Sequence, residues 1–360
     1  MLALGLAAPA AGQEALLESC ASLEAVADPA IPGGVPAEVT AQFRYLCGQV
    51  VDALAVVQPT MGIAFSGGAH TLGTATTIGR RLGAVPRISV TARLNGTFAD
   101  APDLLDGFVA RLDDAGVLNP MGTADVPIGS FQGDVVVGLF NGIQAGPTLG
   151  GFGAIDLLGS LSYLPVVRKV GLGEGIVNAG VGARVGILKQ GLVLPGLSVS
   201  AMYRTMLGDA SFGDLDDPDS DDPAEFTADL STVSLRAGIS KGFLLFDLAA
   251  GAGYDIYSSD VAFDWVLVCP AGQCRGDQDV RLGTANGVQG ELTTAAWNVH
   301  GNVGVSLLLL DIVGEIGYQK ATQVVDLGLF QDAGLPPRQP TLDGVEGGSF
   351  FGGIGARLTF

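Results

Sequence analysis

Basic residues are scarce: Lys and Arg total 18 of 360 residues against 37 Asp and Glu, for a net charge of −19. That balance excludes nucleic acid as a partner, because phosphate backbones are held by clustered Lys and Arg. Charge of either sign is thin, 15% of the chain where a soluble domain carries about 25%. Mean hydropathy is +0.42, yet no uninterrupted apolar run reaches the roughly 18 residues of a membrane-spanning helix. His occurs twice, and neither His70 nor His300 stands at a zinc-ligand spacing from the four Cys. No metal and no cofactor is therefore expected. A hydrophobic average without a hydrophobic run means dispersed apolar residues, and dispersal at period two is how a barrel wall meets lipid on one side and water on the other. Gly, 55 of 360, has about twice its usual share.

The chain divides at changes of period. Residues 1–13, MLALGLAAPAAGQ, have the apolar stretch and small residues of a secretory signal without its basic start, with Ala8 and Ala10 or Ala10 and Gly12 as a cleavage pattern. Residues 14–58 are poor in Gly and carry helical spacing, seen in Val39, Phe43, Leu46, Val50, Leu54 and Val57, with a Pro/Gly break at PAIPGGVP. They predict an α-helical hairpin that acts as a plug or a periplasmic cap. In an exported, oxidised chain the four Cys form two bridges: Cys269 and Cys274 across the PAGQ turn, and Cys20 with Cys47 between the two helices.

Residues 59–360 change to period two. Trp297, Val299, Val303, Val305 and Leu307 share one strand face, with Asn298, His300, Asn302 and Ser306 on the other. The same alternation marks ten strands at 86–98, 130–140, 150–162, 174–188, 195–207, 225–240, 243–258, 291–308, 310–324 and 348–360. Residues 60–82 offer two more, for a transmembrane antiparallel β-barrel of about 12 strands, with 10–14 possible. Short connections such as SKG at 240–242 alternate with long polar ones at 99–129, 163–173, 213–225, 259–290 and 325–346. Short turns at one end and long loops at the other are the habit of an outer-membrane barrel, with the long loops outside the cell.

The chain ends on FFGGIGARLTF. This resembles the C-terminal strand of Gram-negative outer-membrane proteins, in which a final Phe follows apolar residues at alternate positions, here Phe350, Ile354 and Leu358 before Phe360. The resemblance implies a bacterial outer-membrane location reached through the periplasm, lipid as the surrounding partner, and recognition of that strand by the barrel-assembly machinery. An N-terminal segment ahead of a barrel is also similar to the long-chain fatty-acid transporter family, whose N-terminus plugs the lumen. A Cys-tied helical hairpin departs from that pattern.

If the apolar faces meet lipid, the lumen is lined by Arg93, Arg184, Arg204, Arg236, Arg357, Asp247, Asp255, His300, Asp311 and Glu315. Inward placement is energetically motivated, since a charge on the lipid face costs roughly 2–4 kcal/mol at the midplane. Arg236 and Asp247 flank the SKG turn and are expected to pair. The set is either a constriction that selects solutes by sign or a filling of Arg–carboxylate pairs in a narrow lumen. The acidic stretch 213–225 could hold a cation through Asp214, Asp216, Asp217, Asp219, Asp221 and Asp222 but lacks EF-hand spacing, so a solvated loop is expected. Catalysis is not expected: His300 and Ser306 share a face about 20 Å apart, and His70 stands in a Gly-rich stretch. The expected function is passive transport of small solutes, hydrophobic ones among them. The alternatives are a closed barrel that anchors extracellular loops for adhesion or structure and, behind it, an enzyme.

Overall fold

The computed structural model describes residues 16–20, 26–27, 37–80, 86–102, 123–143, 151–165, 175–191, 193–213, 224–269, 280–307, 310–322 and 348–360. Ten antiparallel strands close into a barrel: β1 (Ile88–Pro102), β2 (Thr123–Phe140), β3 (Ala154–Leu164), β4 (Ile176–Leu188), β5 (Gly196–Met206), β6 (Ser231–Phe243), β7 (Phe246–Cys269), β8 (Val280–Leu307), β9 (Leu310–Ala321) and β10 (Gly348–Thr359). Each pairs with its sequence neighbour and β10 returns to β1, with Phe350 opposite Phe98 and Thr359 opposite Ser89. Phe360 is fastened into this seam, donating its amide to Ile88 O at 2.9 Å. Closure leaves no unpaired sheet edge at membrane depth.

The ten strands correspond to those marked by the alternation with shifted ends: SKG, expected as a connection, lies inside β6 and the turn falls at Leu244–Leu245, and residues 123–129, expected within a loop, begin β2. The two further spans expected in 60–82 are absent among the described residues. Helix α1 (Ala37–Ser66) runs through that region instead, and residues 67–79 continue it as non-repetitive chain. The helix therefore does not stop near residue 58. From Val50 to Ser66 nearly every position is buried, so it has no polar face from which a period of 3.6 could be read. It passes through Pro59 and ends at Gly67, whose φ of 60° and amide bond to Ile63 O at 2.8 Å make a left-handed C-terminal stop.

A second difference lies at 259–290, expected as a loop. There β7 and β8 extend as a paired ribbon up to Cys269 and Val280. Its alternation is inverted: Val261, Phe263 and Leu292 face inward and are buried, whereas Asp260 and Glu291 face outward. Three short strands flank this upper region. Ala210–Gly213 pairs with Ala224–Ala228, which pairs with β7, and Val26–Ala27 pairs with β8.

Lower on the wall the outward face is an exposed apolar belt bounded by two aromatic rings. Phe98, Phe131, Tyr163, Tyr203, Tyr254, Trp297 and Phe350 form the upper ring; Phe140, Phe152, Phe243, Phe246 and Phe360 form the lower. Along β8 the belt runs from Leu307 to Trp297, about 25 Å at 3.3 Å per residue and a 40° tilt. Cys20 and Cys47 are bridged. Cys274 and the acidic stretch 214–223 lie outside the described residues, so the expected Cys269–Cys274 bridge and the loop do as well.

Candidate functional site in the barrel lumen

The lumen holds two layers. The layer toward the long loops is an apolar core: Leu54, Val57, Met61 and Phe65 of α1 pack with Leu164, Ile176, Met206, Leu230, Tyr257, Val261 and Leu292 of the wall. Packing is close enough that a Cβ at Gly62 would overlap the Tyr257 ring. One helix amide is fully clasped within it. Gln58 Nε2 donates to Ser259 Oγ at 2.8 Å and Leu292 O at 3.1 Å, and its Oε1 accepts from Thr294 Oγ1 at 2.6 Å. Gln319 Nε2 donates to Pro59 O and to the Tyr257 hydroxyl, both at 3.1 Å.

The layer toward the short turns is polar. Residues 67–79 have no ladder of their own, and a buried backbone without partners is costly. The wall's side chains supply the partners. Glu315 accepts the Gly68 and Ala69 amides at 2.8 and 2.9 Å. Asp156 accepts those of Ile78 and Gly79 at 3.1 and 3.3 Å, and Ser240 Oγ that of Ala75 at 2.9 Å.

Four arginines do two jobs each. Arg93 approaches Asp134 at 3.1 Å without hydrogen-bond alignment and donates to Ser66 O and Ala69 O at 2.7 and 3.0 Å. Arg184 pairs with Asp156 at 2.7 Å and donates to Thr74 O at 3.2 Å. Arg236 clasps Asp255 through two bonds, 2.7 and 2.9 Å, and donates to Gly68 O at 2.5 Å. Arg357 pairs with Asp311 at 2.7 Å and donates to Leu72 O at 2.8 Å. A guanidinium carries five fixed donors, enough to satisfy a carboxylate and a carbonyl together.

These placements bring together most of the lumen residues named from sequence, with changes of partner. Arg236 pairs with Asp255, not Asp247; Asp247 accepts from Ser306 Oγ at 2.9 Å instead. The register explains the swap. Arg236 lies opposite Gly253, so the inward neighbour one diagonal step away is Asp255, whereas Asp247 stands opposite Gly242 near the turn. Arg204 is 1% exposed and donates to Ser234 Oγ at 3.3 Å, and its Nε and Nη2 have no hydrogen-bond partner among the described residues. His300 faces Gly68. The residues not anticipated are Asp134 and Asp156. Asp156 is the one carboxylate of β3 and Asp134 stands just before the apolar run Val135–Val137 of β2, and that setting is the signal that could have found them. Also missed was a pairing of His70 Nδ1 with Ser200 Oγ at 2.8 Å, since 130 residues separate them.

His70, Ser200, Arg184, Arg236, His300 and Asn302 line a cavity of about 40 Å³, room for a few waters. The other nitrogen of His70 has no partner among the described residues, so no carboxylate orients the imidazole as a catalytic triad requires. Among the described residues no group of three or more His, Cys, Asp or Glu could hold a metal.

No family model matches the chain, and no curated protein matches it significantly. Among solved structures it is similar to the outer-membrane protease OmpT from Escherichia coli, with 9% identity over 79% of this chain and 100% of that one and a TM-score of 0.38. It is similar to the translocator domain of the autotransporter NalP from Neisseria meningitidis, with 10% identity over 76% and 88% and a TM-score of 0.36. It is also similar to the attachment protein Ail of Yersinia pestis, with 8% identity over 76% and 99% and a TM-score of 0.25. Such values carry no argument about activity.

Proposed function

We propose that the protein is a bacterial outer-membrane barrel that is closed as folded and anchors structure beyond its long-loop end, namely the β7–β8 ribbon and the Cys-bridged N-terminal element. The belt between two aromatic rings matches the height of an outer-membrane hydrocarbon layer, and lipid is its partner. The short turns then face the periplasm, and the barrel-assembly machinery reads the strand that carries Phe350, Ile354, Leu358 and Phe360.

One observation carries the closed reading. The chain from Val50 to Gly79 fills the lumen, with its backbone bonded to the wall through Arg93, Arg184, Arg236, Arg357, Glu315 and Asp156. Passive diffusion of a small solute would require all of those bonds to break at once. We propose no catalytic role, because the His70–Ser200 pair has no orienting carboxylate among the described residues.

The test is conductance in planar bilayers together with solute-dependent liposome swelling. The intact protein is expected to be silent in both, and deletion of residues 37–80 to open the barrel or prevent its assembly. Steady conductance by the intact chain would sink the closed reading and favour passive transport.

A further inference from the structure

We infer that the chain passes through its own barrel, so that its N-terminal segment stands outside the cell while Phe360 lies at the periplasmic rim. The inference rests on the outer-membrane reading above, which supplies only the direction; the threading is geometric.

From Arg80 back to Val26, wall partners rise as residue numbers fall. Arg80 donates its amide to Asn141, just past the lower end of β2. Gly73 lies against Val313, three residues from the start of β9 at Leu310. Gly68 and Ala69 are bonded by Glu315, two residues higher on that strand. Gly62 sits under Tyr257, eleven residues above the start of β7 at Phe246, and Gln58 bonds Ser259, two residues higher still. Leu16 packs over Gly290, seventeen residues above the lower end of β8 at Leu307. Val26 pairs with Thr284, six residues beyond Gly290. From Val26 through Gln58 to Arg80 the descent from the long-loop end to the short-turn end has no reversal at these points; ahead of it the chain climbs, from Leu16 at Gly290 to Val26 at Thr284.

Thr284 stands thirteen residues past Trp297 in the upper aromatic ring, which is about 30 Å along the barrel axis. That distance places the Val26–Ala27 strand well clear of the hydrocarbon layer. The segment is therefore no periplasmic cap.

The Cys20–Cys47 bridge closes a loop of sequence separation 27 near this outer end. Cys47 lies 19 residues before Ser66 in α1, about 28 Å up the helix. Below it the lumen lacks room for one Cβ beside Tyr257. A two-chain knob cannot pass where one helix already fills the bore, so the closed bridge is a stop against withdrawal. The barrel thereby displays its own leading segment and locks it in place.

The test inserts one epitope after Ala30 and another, in a separate variant, after Gly191 in the short β4–β5 turn. Both are expressed in a Gram-negative host. Antibody is expected to reach the first on intact cells and the second only after the outer membrane is permeabilised. Shielding of both on intact cells would overturn the threading, and so would exposure of the Gly191 epitope alone. Because an insertion can disturb assembly, protease shaving of intact cells carrying the unmodified chain is read by mass spectrometry in parallel. It should release peptides from residues 14–46 and none from 189–195; the reverse pattern overturns the inference. Failure to co-sediment with outer membrane ends the membrane reading itself. Conductance by the intact protein ends the closed reading without touching this topology.

Discussion

Around Leu54, Val57 and Phe65 the lumen is packed as a soluble core is packed; a few residues further along the same chain, from Gly67 to Gly79, it is held by arginine forks and carboxylates. The upper layer has a helix, which satisfies its own backbone and needs only apolar partners, so the wall around it turns Val261, Phe263 and Leu292 inward. The lower layer has no helix, and its exposed amides and carbonyls demand polar partners from the wall. Secondary structure inside thus dictates the chemistry of the wall. The outward face follows the opposite rule, being apolar on the lower wall and polar at Asp260 and Glu291 above it. The barrel's hydrophobic face changes sides along a single strand, near Tyr257 of β7.

The two layers should fail differently, and the largest difference is expected at the ion pairs. Asp255→Ala strands Arg236 and orphans Asn298 Nδ2, which donates to Asp255 at 2.8 Å. Breaking a buried pair by removing one partner costs about 3–5 kcal/mol. The readout is urea unfolding in liposomes, together with loss of the fast-migrating folded band on unheated gels. A cost under about 1 kcal/mol would mean that the lower layer is not held by these pairs.

In the upper layer Leu54→Ala removes a buried side chain that is 5% exposed and is expected to cost about 2–4 kcal/mol by the same measurement. It should leave bilayers silent, since the lower layer still blocks the bore. Conductance from this variant would show that the upper layer is the seal.

Replacing Cys20 and Cys47 together by Ser should lower the unfolding free energy by about 2–4 kcal/mol, with the readout shifted to early loss of α1 in far-ultraviolet circular dichroism. If the strand signal is lost first, the bridge supports the wall instead of the threaded segment.

The smallest effect is expected from Ile63→Val, about 0.5–1.5 kcal/mol, because Ile63 is fully buried in α1 and loses a single methylene. An effect several times larger would mean that the helix cannot settle against the wall and that the upper layer is as intolerant as the lower one.

Strand positions were legible because an apolar outward face and a polar inward face put opposite chemistries on alternate residues, as at Val299 and Asn298. The inward arginines Arg93, Arg184, Arg236 and Arg357 were legible for the same reason, whereas Asp134 and Asp156 were passed over although their apolar neighbours carried the same sign. Pairings were not. Arg236 meets Asp255, and not Asp247, because of a register that no single strand encodes. The upper ribbon was hidden because its apolar alternation, Val261 and Phe263, points the other way and reads as loop when outward apolar faces are sought. The helix end was hidden because burial on all sides erases the period between Val50 and Ser66.

The amino-acid sequence by itself determined a barrel wall, the closing strand that ends in Phe360 and the set of charges that must turn inward, since each follows from a two-residue period and the cost of charge in lipid. Only the tertiary structure decided that ten strands close the wall, which carboxylate each arginine takes, and that the N-terminal segment descends through the bore from the long-loop end. Those depend on contacts between residues as far apart as Gln58 and Leu292 or Leu72 and Arg357, and local patterning carries no information about which distant surface a buried segment will fill.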